Sequence, residues 1–163
     1  MSQPYLFKTE RLGFRLVTEG DFDYLLMLST ADPKTWSSDS KEIEETIKND
    51  IKHFSEKGYG AFLVFDIESG EFIGRAGFGI TESGETEVGY VLHKKFWGKG
   101  YASEAVAILL KYAREHIDVD YIIAYADVGN IGSTRVMEKC GMSYYKTDIA
   151  KGIECRFYRI KNR

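Results

Sequence analysis

Proline and cysteine are both scarce: the 163 residues contain two of each. With two prolines and no Pro/Ser-rich tract, a linker has nowhere to sit, so a single domain over 1–163 is expected. A chain of this length buries an adequate core without disulfides or metal. The two cysteines, Cys140 and Cys155, make at most one bridge, and free thiols are the expected reading. No Cys/His spacing resembles a zinc site, so no metal is expected. Charge of one sign is lacking too. The formal net charge is -3, which excludes the broad basic field of a nucleic-acid binder. No apolar run approaches the roughly 18 residues that span a membrane. The opening "MSQPYLFKTERL" has no secretory apolar segment. Repeats are absent. The expectation is a cytoplasmic monomer or homodimer without nucleic-acid or membrane partners.

What is present reads as alternating elements. "RLGFRLV" (Arg11 to Val17) alternates with the period of a strand. Thr18, three residues before Asp21, gives an approximate capping signal for a helix through "FDYLLMLS". Asp39 and Glu42 form a capping pair for a second helix. Its stripe is Ile43, Ile47, Ile51 and Phe54, and it ends at Gly58. "YGAFLVFD" and "EFIGRAGFG" read as a hairpin, and "TEVGYVL" as a third strand. Ala102, Ala105, Val106, Leu109, Leu110 and Ala113 mark an amphipathic helix. A buried strand "YIIAYADV", a helix ending at Gly141 and two final strands follow. The order β-α-α-β-β-β-α-β-α-β-β predicts an α+β fold, a mixed sheet with helices on its faces.

Between the third strand of that run and the amphipathic helix lies "HKKFWGKGYASEA", His93 to Ala105. A P-loop is ruled out because Gly98-Lys99 is followed by Gly100, not by Ser or Thr. A dinucleotide fingerprint fails because Ser103 stands where its third glycine belongs, and Asp120 precedes the next strand instead of ending it. Two readings remain. Glycines at a helix N-terminus admit a phosphate to outward-pointing N–H groups, with Lys94, Lys95 and Lys99 adding charge. Alternatively, the glycines only shape a turn and the lysines are solvated. Asn130, at the start of the next helix, is open in the same way: a cap, or a ligand contact.

Taken together, these segments resemble the GNAT superfamily of acyl-CoA-dependent N-acetyltransferases. Lys95-Phe96-Trp97-Gly98-Lys99-Gly100 matches the motif [QR]-x-x-G-x-[GA], with Lys95 in place of Gln or Arg. "N-x-x-S-x-x-V-x-E-K-x-G" (Asn130 to Gly141) and "TERLGFRLVTEGD" look like the branch of ribosomal-protein N-terminal acetyltransferases. The resemblance implies a sheet splayed between "EVGYVL" and "YIIAYADV", with acetyl-CoA as cosubstrate. Its pantetheine arm would pair with backbone at Tyr90, Val91 and Leu92, a backbone N–H near Leu92 polarising the thioester carbonyl. Lys95 to Gly100 with Tyr101, Ala102 and Ser103 would hold the pyrophosphate. Asn130 would bind the pantetheine, and Ser133 would donate to the departing sulfur. Arg135 and Lys139 either reach the 3′-phosphate or form a solvated face.

The implied reaction is direct acetyl transfer to a primary amine, of a protein N-terminus or of a small molecule. Glu87, on one face with Gly89 and Val91, is the candidate base, or else an ordinary strand carboxylate. Trp36 and Glu87 are the candidate acceptor-binding residues. Tyr144, Tyr145 and Tyr158 either serve the acceptor side or pack. A non-catalytic acyl-CoA-binding sensor or interaction module is the alternative function.

Overall fold

The computed structural model describes residues 4–29 and 37–163. Trp36 lies outside them. The elements are β1 (Phe7–Lys8), β2 (Leu12–Leu16), α1 (Phe22–Leu28), α2 (Ser40–Lys57), β3 (Ala61–Asp66), β4 (Phe72–Ile80) and β5 (Thr86–Leu92). A 3-10 turn (Lys94–Phe96) leads to α3 (Tyr101–His116), β6 (Tyr121–Asp127), α4 (Ile131–Lys139), β7 (Ser143–Ala150) and β8 (Ile153–Lys161). The predicted order holds, with one strand added. Strand β1 pairs Phe7 with Phe14 and is too short to carry a periodicity of its own.

The eight strands among the described residues join one sheet in the order β1-β2-β3-β4-β5-β6-β8-β7. Every neighbouring pair is antiparallel except β5–β6, which α3 connects as a parallel crossover. Helix α3 buries Ala105, Val106, Leu109, Leu110 and Ala113 against Phe14, Phe62, Val88, Leu92 and Ile122. Burying each of the larger side chains stabilises the fold by about 1.5–3 kcal/mol. On the opposite face, Leu25 and Leu28 of α1 and Ile43 and Ile47 of α2 cover Leu63, Phe65 and Phe72. That cover stops short of β6 and β8, where Ile123, Cys155 and Phe157 form a separate small cluster.

The caps vary in an informative way. The Asp39 carboxylate accepts from the N–H groups of Lys41 and Glu42 at the head of α2. Asp21 stands at the head of α1 but makes no side-chain cap. It is drawn back instead to Arg15, which donates to both its oxygens at 2.9 and 2.8 Å, and to the N–H and hydroxyl of Thr18. The expected Thr18–Asp21 pair forms, but Thr18 donates to the carboxylate and caps no helix N–H with its hydroxyl, and the Arg15 guanidinium shares that carboxylate in a buried ion pair.

Candidate active site

The site begins with the backbone of β5. Its pairing with β4 runs in unbroken register from Ile80↔Thr86 to Gly74↔Leu92. The His93 N–H donates to the Ile73 carbonyl. Antiparallel strands alternate between pairs that exchange both hydrogen bonds and pairs that exchange none. The backbones of Val91, Gly89 and Glu87 therefore turn to β4, and those of Leu92, Tyr90 and Val88 turn toward β6. Strand β6 meets β5 at a single pair, Glu87↔Ile123. Beyond it the strands part, and the N–H and C=O of Tyr90 and the N–H of Leu92 border a gap. The Leu92 carbonyl is closed off by the Trp97 indole N–H, at 2.8 Å.

A cavity of about 960 Å³ fills the gap and opens to both faces of the sheet. Toward α3 and α4 it is lined by Tyr90, Trp97, Val106, Asn130, Ser133 and Met137. The hydroxyls of Tyr90 and Ser133 lie 3.1 Å apart across it. Burial raises the Tyr90 phenol above its ordinary range, against the hydrogen bond to Ser133, so Tyr90 stays protonated and able to donate. Asn130 caps α4 through its side-chain oxygen, which accepts from the Ser133 N–H at 3.1 Å. That contact fixes the first turn carrying Ser133 and makes the cap reading of Asn130 a structural fact.

On the other face the cavity is lined by Arg75, Gly77, Gly79, Glu87, Tyr125 and Lys151. Gly77 pairs with Gly89 and Gly79 with Glu87, so the floor between Arg75 and Glu87 is nearly bare backbone. An added Cβ at Gly89 would meet nothing within 4 Å. Arg75 spends its charge on Asp50, with contacts of 2.9 and 2.6 Å. Burial pushes the Glu87 carboxyl above its ordinary value, against the pull of Lys151, Tyr125 and Arg75. The Tyr125 phenol, half-buried beside it, is pushed up to about 12 by burial and by the Glu87 charge. Glu87 is thus a half-buried carboxylate opening on a hollow that has room for a ligand.

The loop from Lys94 to Gly100 carries two glycines in the left-handed region, Gly98 at φ +73° and Gly100 at +81°. Those angles are strained for any residue with a Cβ. Gly100 heads α3, which has no side-chain cap, so its first N–H groups point outward without a protein acceptor. Phe96 is buried and anchors the loop, with the Tyr101 ring edge-on to it at 5.7 Å. The Lys95 ammonium turns to Glu71 at 2.6 Å, while Lys99 stays exposed. Ala102 and Ser103 sit half-buried in the first turn of α3. Arg135 and Lys139 are exposed on α4.

The structure thus brings Glu87, Tyr90, Val91, Trp97, Asn130 and Ser133 to one cavity and leaves most of the Lys94–Gly100 loop outside its lining. It does not bring Tyr144, Tyr145 or Tyr158 there. Tyr144 is exposed, Tyr145 packs near Phe157, and Tyr158 is core. The hydroxyl of Tyr90, the phenol of Tyr125 and the glycine floor escaped the sequence reading. Each acquires its place only from strand register.

Comparison with known proteins accords with this arrangement. Residues 11–143 match the family model described as Acetyltransferase (GNAT) domain. The protein YkkB of Bacillus subtilis is 33% identical over 147 residues, covering 85% of this chain and 86% of that protein. An acetyltransferase structure from Agrobacterium tumefaciens superposes with a TM-score of 0.80 at 27% identity, over 98% of this chain and 95% of the other. RimL, a ribosomal L7/L12 alpha-N-protein acetyltransferase in complex with coenzyme A, shares the fold with a TM-score of 0.80. Its identity is 18%, over 96% of this chain and 97% of that one. The chain belongs to the GNAT acetyltransferases, a class that uses acetyl-CoA.

Proposed function

We propose that the protein moves an acetyl group from acetyl-CoA directly to a primary amine, of a protein N-terminus or of a small molecule. The observation that carries this reading is the opening beside β5. Unpaired backbone of Tyr90 and Leu92, a hydroxyl pair and a half-buried carboxylate meet there in one cavity that reaches both faces of the sheet. Space above Gly98, where a Cβ would meet nothing, and the uncapped start of α3 fit a diphosphate. When bound, acetyl-CoA supplies an acetyl thioester.

The chain's own groups then divide the work. Residues 98–103 hold the diphosphate through backbone N–H groups. Tyr90 and Leu92 align the pantetheine, and the Leu92 N–H polarises the carbonyl. Asn130 sets the first turn of α4. The Ser133 hydroxyl, backed by the Tyr90 phenol, donates a hydrogen bond to the sulfur as it departs. Glu87 takes the proton that an ammonium must lose before it attacks. Its raised pKa narrows the gap to an N-terminal amine, at about 7.7–8.0, far more usefully than to a lysine side chain at about 10.4. The two free thiols suit a cytoplasmic location.

Thermal denaturation with acetyl-CoA, NAD and ATP, followed by thiol release over a panel of peptides and small amines, tests the reading. Stabilisation by acetyl-CoA alone and amine-dependent thiol release are expected. Stabilisation by a nucleotide but not by acetyl-CoA overturns it. Binding without turnover on any amine marks a sensor instead.

A further inference from the structure

The segment "TERLGFRLVTEGD" has no part in the chemistry above, yet half of it is aimed at the diphosphate loop. Glu104, in the first turn of α3, accepts from the Thr9 hydroxyl, from the Arg11 backbone N–H at 3.0 Å and from Arg11 Nε at 2.7 Å. Arg11 Nη1 goes on to donate to the carbonyl of Lys99 at 3.0 Å, between the two left-handed glycines. The guanidinium also lies over the Tyr101 ring, 4.1 Å from its centroid, and the Tyr101 hydroxyl donates to Asp66 at 3.2 Å. Burial alone would raise the Glu104 carboxyl, but hydrogen bonds from Thr9 and Arg11 outweigh it and hold the group below its usual range.

This network is not what attaches β2 to α3. Leu12 and Phe14 already pack fully buried in one cluster with Ala105 and Leu109. The Arg11 and Glu104 side chains keep 38% and 20% of their exposure, and an ion pair so exposed adds little to stability. None of Thr9, Arg11 and Glu104 lines the cavity. Their contacts end on the peptide that joins Lys99 to Gly100. Glycines lose more conformational freedom on ordering than other residues do. A loop built on Gly98 and Gly100 binds an anion well only if that cost is met before the ligand arrives.

We propose that Thr9, Arg11 and Glu104 are positioning residues for the donor's diphosphate: they hold the Lys99 carbonyl away from the ligand and keep the loop and first-turn N–H groups converged on one point. The inference rests on the reading of residues 98–103 as the diphosphate site.

The experiment compares two probes, coenzyme A by titration calorimetry and pantetheine, which has no diphosphate, by chemical-shift titration. Arg11→Met is expected to bind coenzyme A about tenfold more weakly than the native protein while its affinity for pantetheine is unchanged. Arg11→Lys, which keeps the charge but not the fork, should not rescue it. Thr9→Val, the mildest change, is expected to show a smaller loss in the same direction and serves if Arg11→Met does not fold. Three results overturn the proposal. One is undiminished coenzyme A affinity in folded variants. Another is equal loss for both probes, which marks general disruption. The third is a native protein that prefers coenzyme A to pantetheine no more than its variants do. A native protein that binds no coenzyme A overturns the underlying diphosphate reading as well.

Discussion

Toward β4, strand β5 makes an unbroken ladder from Thr86 to Leu92; toward β6 it makes one pair, Glu87↔Ile123. Both edges belong to the same seven residues. On the closed edge, Val91 and Gly89 have their backbone hydrogen bonds satisfied by strand pairing. On the open edge, Tyr90 and Leu92 keep backbone groups that a ligand can take. Buried backbone polar groups left unpaired are costly. An opening of this kind therefore persists only where solvent or a ligand replaces the missing strand. The opening beside β5 comes from withholding a neighbour, not from a special residue.

Five substitutions would break or sharpen that contrast. The largest effect is expected at the mouth of the open edge. Glu87→Gln should lower kcat/KM by about 10²-fold and flatten the acid limb of the pH–rate profile. The carboxyl is raised in the fold, so its charged form is disfavoured there. Its stabilising contribution is complete at low pH and is lost as pH rises through the folded pKa. Glu87→Gln should therefore raise the melting temperature at neutral pH, with the difference closing toward about pH 4. An unaltered profile removes Glu87 as the base.

The glycines of the two strands separate stability from function. A Cβ at Gly74 would clash with the Val91 carbonyl oxygen in the closed ladder. Gly74→Ala should cost about 1–3 kcal/mol in denaturant unfolding. Gly89 has open space before it, so Gly89→Ala should leave the melting temperature alone and raise KM for the amine. Destabilisation at Gly89 as large as at Gly74 would deny that its face is open.

Smaller effects belong to groups that share their task. Ser133→Ala should lower kcat about tenfold, with coenzyme A affinity nearly unchanged, because the Tyr90 hydroxyl remains 3.1 Å away to substitute in part. Turnover at the native rate would take Ser133 out of the mechanism. Trp97→Phe frees the Leu92 carbonyl and should raise KM for acetyl-CoA about threefold, measured at saturating amine.

Much of the fold was legible from local pattern. The stripe Ala105, Val106, Leu109 and Leu110 announced α3, and Asp39 announced the start of α2. Glycines 98 and 100 announced a tight turn ahead of α3, and both adopt the left-handed conformation that only glycine takes easily. What stayed hidden depended on partners distant in the chain. The ion pair at Asp21 went unseen because its partner Arg15 belongs to the preceding strand. The ion pair of Lys95 with Glu71 was hidden because the two lie 24 residues apart. Tyr125 drew no notice because its neighbour Glu87 sits on another strand.

The sequence by itself determined which segments are helices and strands, where two of the helices are capped, and that a glycine-bearing turn opens α3. Those properties follow from residues within a few positions of one another. Only the tertiary structure decided that β6 leaves β5 after one pair, that Ser133 meets Tyr90, and that Gly77 lies opposite Gly89. The reason is physical: a ladder's register and its end are fixed by the packing of the whole sheet against α3 and α4. The groups that face the gap are chosen by that register, one residue at a time.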